Sequence, residues 1–311
     1  MKTLIIGATG YVGQGIARVL RDEGHDIAGL ARSESNRELL RKHGFNPVDG
    51  DLEDLGKLAD IARKFEALIF APMIPDDAVP DIIEVLIEAY SNSGRTLIFT
   101  SGTGIVAIPA TNGEWSQHTF AEDDAFMPPP WLKARAETER LIEHAAHERG
   151  VRAMSIRPPL VWGRGGSKQI PAIFQSVRVT GHACYFGMGL NLYSNVHIDD
   201  LGEVFRLVLE RGVPGKVYHA VAGEANFRTL AEAVAEVTGT KARSVDYEEA
   251  CSIWGEMIVK YGLAVNSRTR AVRTCEELGW VPKHLDVVDD ILHGSYRRAW
   301  EAGELPEFAA H

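Results

Sequence analysis

Near its start the chain reads Thr3-Leu4-Ile5-Ile6 and then GATGYVG, Gly7 to Gly13, after which Val12, Ile16, Val19 and Leu20 recur at helical spacing. Few folds place an apolar strand, three glycines and an amphipathic helix in immediate succession. Gly7 permits the tight turn, Gly10 lets the backbone approach a ligand, and Gly13 lets helix and sheet pack with no side chain between them. The helix N-terminus then offers unpaired N–H groups and a partial positive charge, which suits a pyrophosphate. The stretch predicts a dinucleotide site. A glycine turn needed only for packing is the competing reading.

The strand-then-helix rhythm continues. Ile27-Ala28-Gly29-Leu30, Ala67-Leu68-Ile69-Phe70 and Thr96-Leu97-Ile98-Phe99 are short apolar runs. Between them lie a polar helical pattern over 37–42 and an amphipathic one marked by Ile82, Val85, Leu86 and Ala89. Continuous apolar strands alternating with helices predict an α/β fold with a doubly wound parallel sheet of Rossmann type. Beyond Arg164 the rhythm loosens. Helical patterns over 229–237, 269–278 and 286–300 predict a smaller, mostly helical lobe, and Thr229 with Glu232 has the spacing of a capping box. The division expected is a dinucleotide-binding domain over 1–165, with strand returns around 193–222, and a substrate-binding lobe over 166–311. The long loop over 107–130 is a candidate functional segment.

The chain has 311 residues and a formal charge of −10, which disfavours nucleic acid as a partner in the absence of a basic patch. Cys184, Cys251 and Cys275 have no metal-like spacing, so a reducing, cytoplasmic setting is expected, with no metal. The first apolar run is too short for a secretory signal and no later run approaches transmembrane length, so no membrane association is expected.

Further segments carry a family likeness: Gly50-Asp51-Leu52, Arg157-Pro158-Pro159-Leu160-Val161-Trp162-Gly163, Val196-His197-Ile198-Asp199-Asp200-Leu201 and Glu277-Leu278-Gly279-Trp280-Val281-Pro282. Together with the G-x-x-G-x-x-G spacing they resemble the extended, epimerase/dehydratase-like branch of the short-chain dehydrogenase/reductase superfamily. The resemblance implies a nicotinamide cofactor lined by Gly7, Thr9, Gly10, Tyr11, Val12, Gly13, Arg32, Ser33, Asp51, Leu52 and Ala71, with Asp51 and Leu52 at the adenine. The second strand ends in Arg32 and Ser33 where NAD-preferring sites place an acid, so NADP(H) is favoured over NAD(H).

The same resemblance places a Tyr-x-x-x-Lys pair on the helix after the fifth strand, and this chain departs from it. Trp131 stands at the tyrosine position and Arg135 at the lysine, with Glu139 four residues on. An indole N–H cannot shuttle a proton near neutral pH, and a guanidinium stays charged. The family's serine or threonine falls at Gly102 or Thr103, depending on register. Arg135 is expected to hold the nicotinamide ribose, and Lys133 to face solvent. Trp131 either stacks on substrate or fills the space a tyrosine would occupy. Tyr185, Tyr193 and His118 are alternative proton sources. Asp199 or Asp200 is read as a helix N-cap beside His197 rather than as part of a metal pair.

The expected activity is that of an NADP(H)-dependent oxidoreductase or epimerase-like enzyme on a small metabolite, bordered by Thr103, Trp131, Arg135, Tyr185 and Tyr193. A reductase that takes its proton from water or substrate would need no tyrosine. A non-redox isomerase, lyase or cyclase and a non-catalytic NADP(H) sensor are the alternatives. Helices flanking such sheets often pair two subunits, which leaves a homodimer as an open expectation.

Overall fold

The computed structural model describes residues 1–306. Its larger layer is a seven-stranded parallel sheet. The first five strands are β1 (Lys2–Ile6), β2 (Asp26–Ala31), β3 (Asn46–Asp49), β4 (Ala67–Phe70) and β5 (Thr96–Thr100). A short β6 (Ile108–Pro109) lies outside the sheet, and β7 (Arg152–Arg157) rejoins it. Then come β8 (Leu160–Trp162), β9 (Ala183–Phe186), β10 (Leu192–His197) and β11 (Val217–His219), followed by β12 (Gly223–Asn226), β13 (Ala242–Val245) and β14 (Val265–Asn266). The strand order β3-β2-β1-β4-β5-β7-β11 reverses direction between β1 and β4. Ligands of such sheets bind in the crevice opened at that reversal.

Helices α1 (Tyr11–Asp22), α2 (Glu34–Lys42), α3 (Leu55–Ala62), α4 (Val79–Tyr90) and α5 (Lys133–Glu148) cover the sheet, with α6 (Gln169–Thr180) and α7 (Ile198–Arg211) following. Side chains alternate across a strand, so β1 feeds two cores. Ile5 packs with Ile16 and Leu20 of α1 and with Leu201 and Phe205 of α7. Leu4 and Ile6 pack with Leu58 of α3, Ile83 of α4 and Ile142 of α5 on the opposite face. Both faces of the sheet are therefore covered, which is why its strands are apolar throughout and not in alternation.

The third core belongs to the smaller lobe. It gathers α6, α8 (Phe227–Thr238), α9 (Tyr247–Trp254), a short α10 (Glu256–Ile258), α12 (Val287–Leu292) and α13 (Ser295–Glu301) around Phe174, Trp254 and Tyr296; α11 (Val272–Leu278) lies against the main sheet through Leu278. A π-helical turn over Val259–Leu263 continues α10. The buried Trp254 indole donates to the Ala172 carbonyl at 2.7 Å, satisfying a polar group inside an apolar cluster.

Several local expectations are corrected. Asn226, not Thr229, caps α8, its Oδ1 accepting from the Thr229 N–H at 2.8 Å. His197, rather than Asp199 or Asp200, caps α7: its Nδ1 accepts from the Asp199 N–H at 3.2 Å. The pattern over 286–300 is two helices parted at His293 and Gly294, and that over 269–278 becomes helical only at Val272. β3 and α3, at four and eight residues, carry too little periodic signal for the sequence to predict them. The 107–130 loop is fastened to the C-terminal part of the chain. β6 pairs with β14, the Phe120 N–H donates to the Arg268 carbonyl at 3.0 Å, and the Arg270 N–H donates to the Phe120 carbonyl at 2.8 Å.

Candidate active site

The glycine loop leaves β1 at the reversal of strand order. Gly7 has φ +92°, and a Cβ there would collide with the Ala71 carbonyl at the end of β4. A Cβ at Gly13 would run into the Gly7 carbonyl. The Gly10 N–H donates to the Gly7 carbonyl at 2.9 Å, closing the turn, and Gly10 caps α1 without any side-chain hydrogen bond. No acidic residue lies in the first turn of α1. Its free N–H groups and positive end are thus uncompensated, the condition under which a helix start holds a phosphate. Thr9 and Val12 flank this opening. The Tyr11 side chain serves the fold instead: its hydroxyl donates to the Gly163 carbonyl at 2.9 Å and its ring fills the space beside Gly166.

At the other end, Arg32 is exposed and forms no ion pair among the described residues, while neighbouring Arg37 is held by Glu34 and Asp49. Ser33 caps α2 through the Asn36 N–H at 3.3 Å. The Asp51 carboxylate accepts the N–H groups of Asp54 and Glu53, both at 2.9 Å, which hold its pKa below the usual carboxylate value. Leu52 lies against the α3–α5 core.

Past β5 the chain turns through Ser101, Gly102 and Thr103, where the Thr103 N–H donates to the Pro158 carbonyl at 2.9 Å. Thr103 is fully buried, and Ser267 Oγ stands 2.9 Å from its Oγ1 and 3.0 Å from its carbonyl. The Tyr193 hydroxyl lies near these two side chains without a hydrogen bond to either. Burial raises the Tyr193 pKa, a rise opposed by Ser267, the nearby Arg135 charge and Thr103, so the phenol holds its proton. The structure thereby brings Thr103, Tyr193 and Arg135 together and adds Ser267.

Arg135, in the first turn of α5, is committed to partners. Nη2 donates to Asp76 Oδ1 at 2.5 Å, Nε to Asp76 Oδ2 at 3.4 Å, and Nη1 to the Ser101 carbonyl at 3.0 Å. Trp131 sits in the 3-10 turn Pro130–Leu132 ahead of α5, and its ring centroid lies 4.9 Å from that of Tyr261. Lys133 is 76% exposed and reaches Glu137 at 4.0 Å, as a solvent-facing lysine should.

Two candidates lie elsewhere. Tyr185, on β9, packs at the edge of the small-lobe core beside Gly189, and no hydrogen bond joins it to Thr103, Trp131 or Arg135. The His118 side chain is exposed, and only the backbone of that residue is bonded, to Ser116 Oγ at 3.3 Å.

Sequence reasoning missed Asp76, Tyr261 and Ser267, which stand far along the chain from the elements they meet. It also missed a buried bracket behind the site. Arg157 pairs with Glu139 through Nε–Oε1 at 2.8 Å and Nη2–Oε2 at 2.5 Å, faces the Phe126 ring at 4.9 Å, and sets Nη1 3.2 Å from His219 Nε2. Burial first, and the Arg157 charge second, push the His219 pKa down to about 4.

His197, Asp199 and His284 bring ligand atoms within 4.8 Å of one another. Those atoms are engaged: Arg18 and Arg164 both bind Asp199, at 2.6 and 2.8 Å, and His284 Nδ1 is 3.1 Å from Asp200 Oδ1. The two imidazoles stack with their ring centroids 4.0 Å apart. Among the described residues no helix is long and apolar enough to cross a membrane.

Residues 7–161 match a protein-family model described as NAD(P)H-binding. An uncharacterized protein of Schizosaccharomyces pombe is 29% identical over 95% of this chain and 100% of its own length. The 2-alkyl-3-oxoalkanoate reductase of Stenotrophomonas maltophilia is 26% identical over 73% of this chain and 70% of that protein. Among solved structures, dTDP-glucose 4,6-dehydratase from Bacillus anthracis in complex with NAD superposes with a TM-score of 0.77 at 16% identity, covering 98% of this chain and 97% of that one.

Proposed function

We propose that this chain, whose residues 7–161 match an NAD(P)H-binding family model, is a member of the extended branch of the short-chain dehydrogenase/reductase superfamily and an NADP(H)-dependent oxidoreductase acting on the carbonyl group of a small metabolite. The observation that carries this reading is the glycine cradle. Gly7 and Gly13 admit no side chain, and the α1 N-terminus beside them has neither a side-chain cap nor an acidic residue in its first turn. The N–H groups of that turn hold the pyrophosphate. Arg32 and Ser33 hold the 2′-phosphate, for which an unpaired guanidinium is suited. Asp51 and Leu52 would border the adenine, the Ala71 backbone would close the floor, and the two N–H groups left on Arg135 would be free for the ribose.

The bound nicotinamide supplies hydride chemistry, and the protein must manage the accompanying proton. Trp131 cannot do so. Tyr193 is the candidate, because its buried phenol stays protonated and lies near the Ser267–Thr103 hydroxyl pair. Thr103, fully buried with its backbone fixed by Pro158, braces this side of the site. Tyr185 takes no part in this scheme. The S. maltophilia reductase, by its description, acts on a 3-oxo compound, in accord with a carbonyl substrate. Three free cysteines accord with a reducing, cytoplasmic setting.

The test is to incubate purified protein with NADPH and a panel of ketones and 3-oxo acids while following nicotinamide absorbance. Cofactor oxidation that Y193F slows supports the reading. Tight NADPH binding with no oxidation by any carbonyl would replace it with that of a sensor.

A further inference from the structure

Alongside β10, the strand that carries Tyr193, the surface opens into a pocket of about 260 Å³. Its walls come from β10, from the junction of β12 with α8, and from the start of α12. None of Thr103, Trp131, Arg135, Tyr193 and Ser267 lines it. The pocket is thus separate from the candidate active site and has no part in the proposed reductase chemistry.

One polar side chain in its wall is almost wholly buried. Asn195 is 3% exposed, and its Oδ1 accepts from the Trp162 indole N–H at 3.0 Å. An indole N–H only donates, so the carboxamide oxygen is fixed toward Trp162 and the NH₂ group is turned elsewhere. That NH₂ group has no hydrogen-bond partner among the described residues. Gly223, in the same wall, leaves it uncovered: a Cβ there would lie 3.9 Å from Asn195 Nδ2 and 3.9 Å from the Leu285 carbonyl. A buried donor so placed needs an acceptor inside the pocket.

Asn226 repeats the arrangement. Its Oδ1 caps α8 through the Thr229 N–H at 2.8 Å, which leaves its NH₂ group and the neighbouring Thr229 hydroxyl without partners among the described residues. On the acceptor side, Asp286 Oδ1 takes the Asp289 N–H at 2.9 Å and Oδ2 stays free. Glu224 is closed off by Arg268, at 2.9 and 2.8 Å. Three uncharged donor groups and one carboxylate oxygen therefore face an apolar wall that includes the exposed Leu285. No lysine, arginine or histidine lines the pocket, and Asn226 and Asp286 already cap the two helix starts at its rim. An anion finds no counter-charge there. No aromatic ring lines it either, so a flat aromatic ligand has nothing to stack on. Hydroxyl groups both accept and donate, and they carry no charge.

We infer that this pocket is a second ligand site, built for a neutral polyhydroxylated molecule about the size of one sugar ring. Its volume lies just below the range of about 300–1,000 Å³ that holds drug-sized ligands, which leaves too little room for a nucleotide. Ligand hydroxyls accept from Asn195, Asn226 and Thr229, one of them donates to Asp286, and the C–H face rests on Leu285.

The experiment titrates the full chain with methyl β-D-glucopyranoside and myo-inositol, and with glucuronate and glucosamine as charged counterparts, by calorimetry and ligand-observed nuclear magnetic resonance. Saturable one-to-one binding of a neutral polyol, tighter than either charged sugar, is expected. N226D keeps an oxygen to cap α8, since aspartate caps as well as asparagine, but removes one NH₂ donor. It should weaken the polyol by about three- to tenfold, the size of one neutral hydrogen bond. G223V should abolish binding, because its side chain covers the Asn195 amide. Thermal unfolding confirms that each variant is folded, and where G223V is not, N226D and T229V decide. No saturable binding of either neutral polyol, tighter binding of glucuronate or glucosamine, or an unaltered affinity in the folded variants would overturn the inference.

Discussion

Arg135 and Asp76, 59 residues apart in sequence, meet with Nη2 2.5 Å from Oδ1 and Nε 3.4 Å from Oδ2. The pair ties the first turn of α5 to the loop after β4, and through the Ser101 carbonyl to the end of β5. Asp76 is thus a positioning residue. D76A should lower kcat by about a hundredfold, the size of effect that follows from misplacing a site by about an ångström. Cofactor affinity should shift far less, and D76E should recover part of the loss. Steady-state kinetics of the three proteins, with NADPH binding measured separately, check the split.

Tyr193 and Tyr185 were equal candidates in the sequence and are unequal in space. Y193F should cut kcat by about 10²–10⁴, the range for removal of a positioned general acid. Y185F should turn over as the parent does. Equal effects from the two substitutions would remove Tyr193 from the proposed chemistry.

The Arg157–Glu139 pair is buried, with side-chain exposures of 4% and 8%. Removing one partner strands the other's charge in an apolar interior. E139A and R157A are each expected to cost about 3–5 kcal/mol of stability. The double replacement by apolar residues of similar volume should cost much less. Urea denaturation of the single and double variants reads the difference.

His219 contributes to acid sensitivity. Its pKa is depressed from 6.5 to about 4, so the folded protein binds its proton less readily than the unfolded chain does. Its contribution to stability should be fully present above pH 6.5 and fall as pH drops toward 4, by about 3 kcal/mol at roughly 1.4 kcal/mol per unit. His25 and His197 are depressed in the same direction, mainly by burial, and add to the slope. H219Q should flatten the stability profile between these limits, measured by thermal unfolding at stepped pH.

The fold was readable because β1, β2, β4 and β5 are covered on both faces and therefore continuously apolar, and because Gly7 and Gly13 answer steric demands that no other residue meets. The glycine turn was readable for the same reason, since Gly7 to Gly13 form one local stretch. The catalytic half was only partly legible. Thr103 and Trp131 stand at the end of β5 and ahead of α5, but Ser267, Tyr261 and Asp76 reach them from distant segments, and no spacing rule links residue 103 to residue 267. Helix caps were misread at Thr229 and Asp199 because Asn226 and His197, three and two residues earlier, supply the acceptor. A carboxamide and an imidazole compete for that role on geometry that a linear pattern does not carry.

The central claim is that the glycine cradle binds NADP(H), and calorimetric titration of the chain with NADPH and NADH tests it most directly. The account predicts saturable one-to-one binding, tighter for NADPH, with R32A losing about 10–100-fold for NADPH and little for NADH, and G13V losing both. Absence of heat with either coenzyme, or G13V binding as well as the parent, would contradict it.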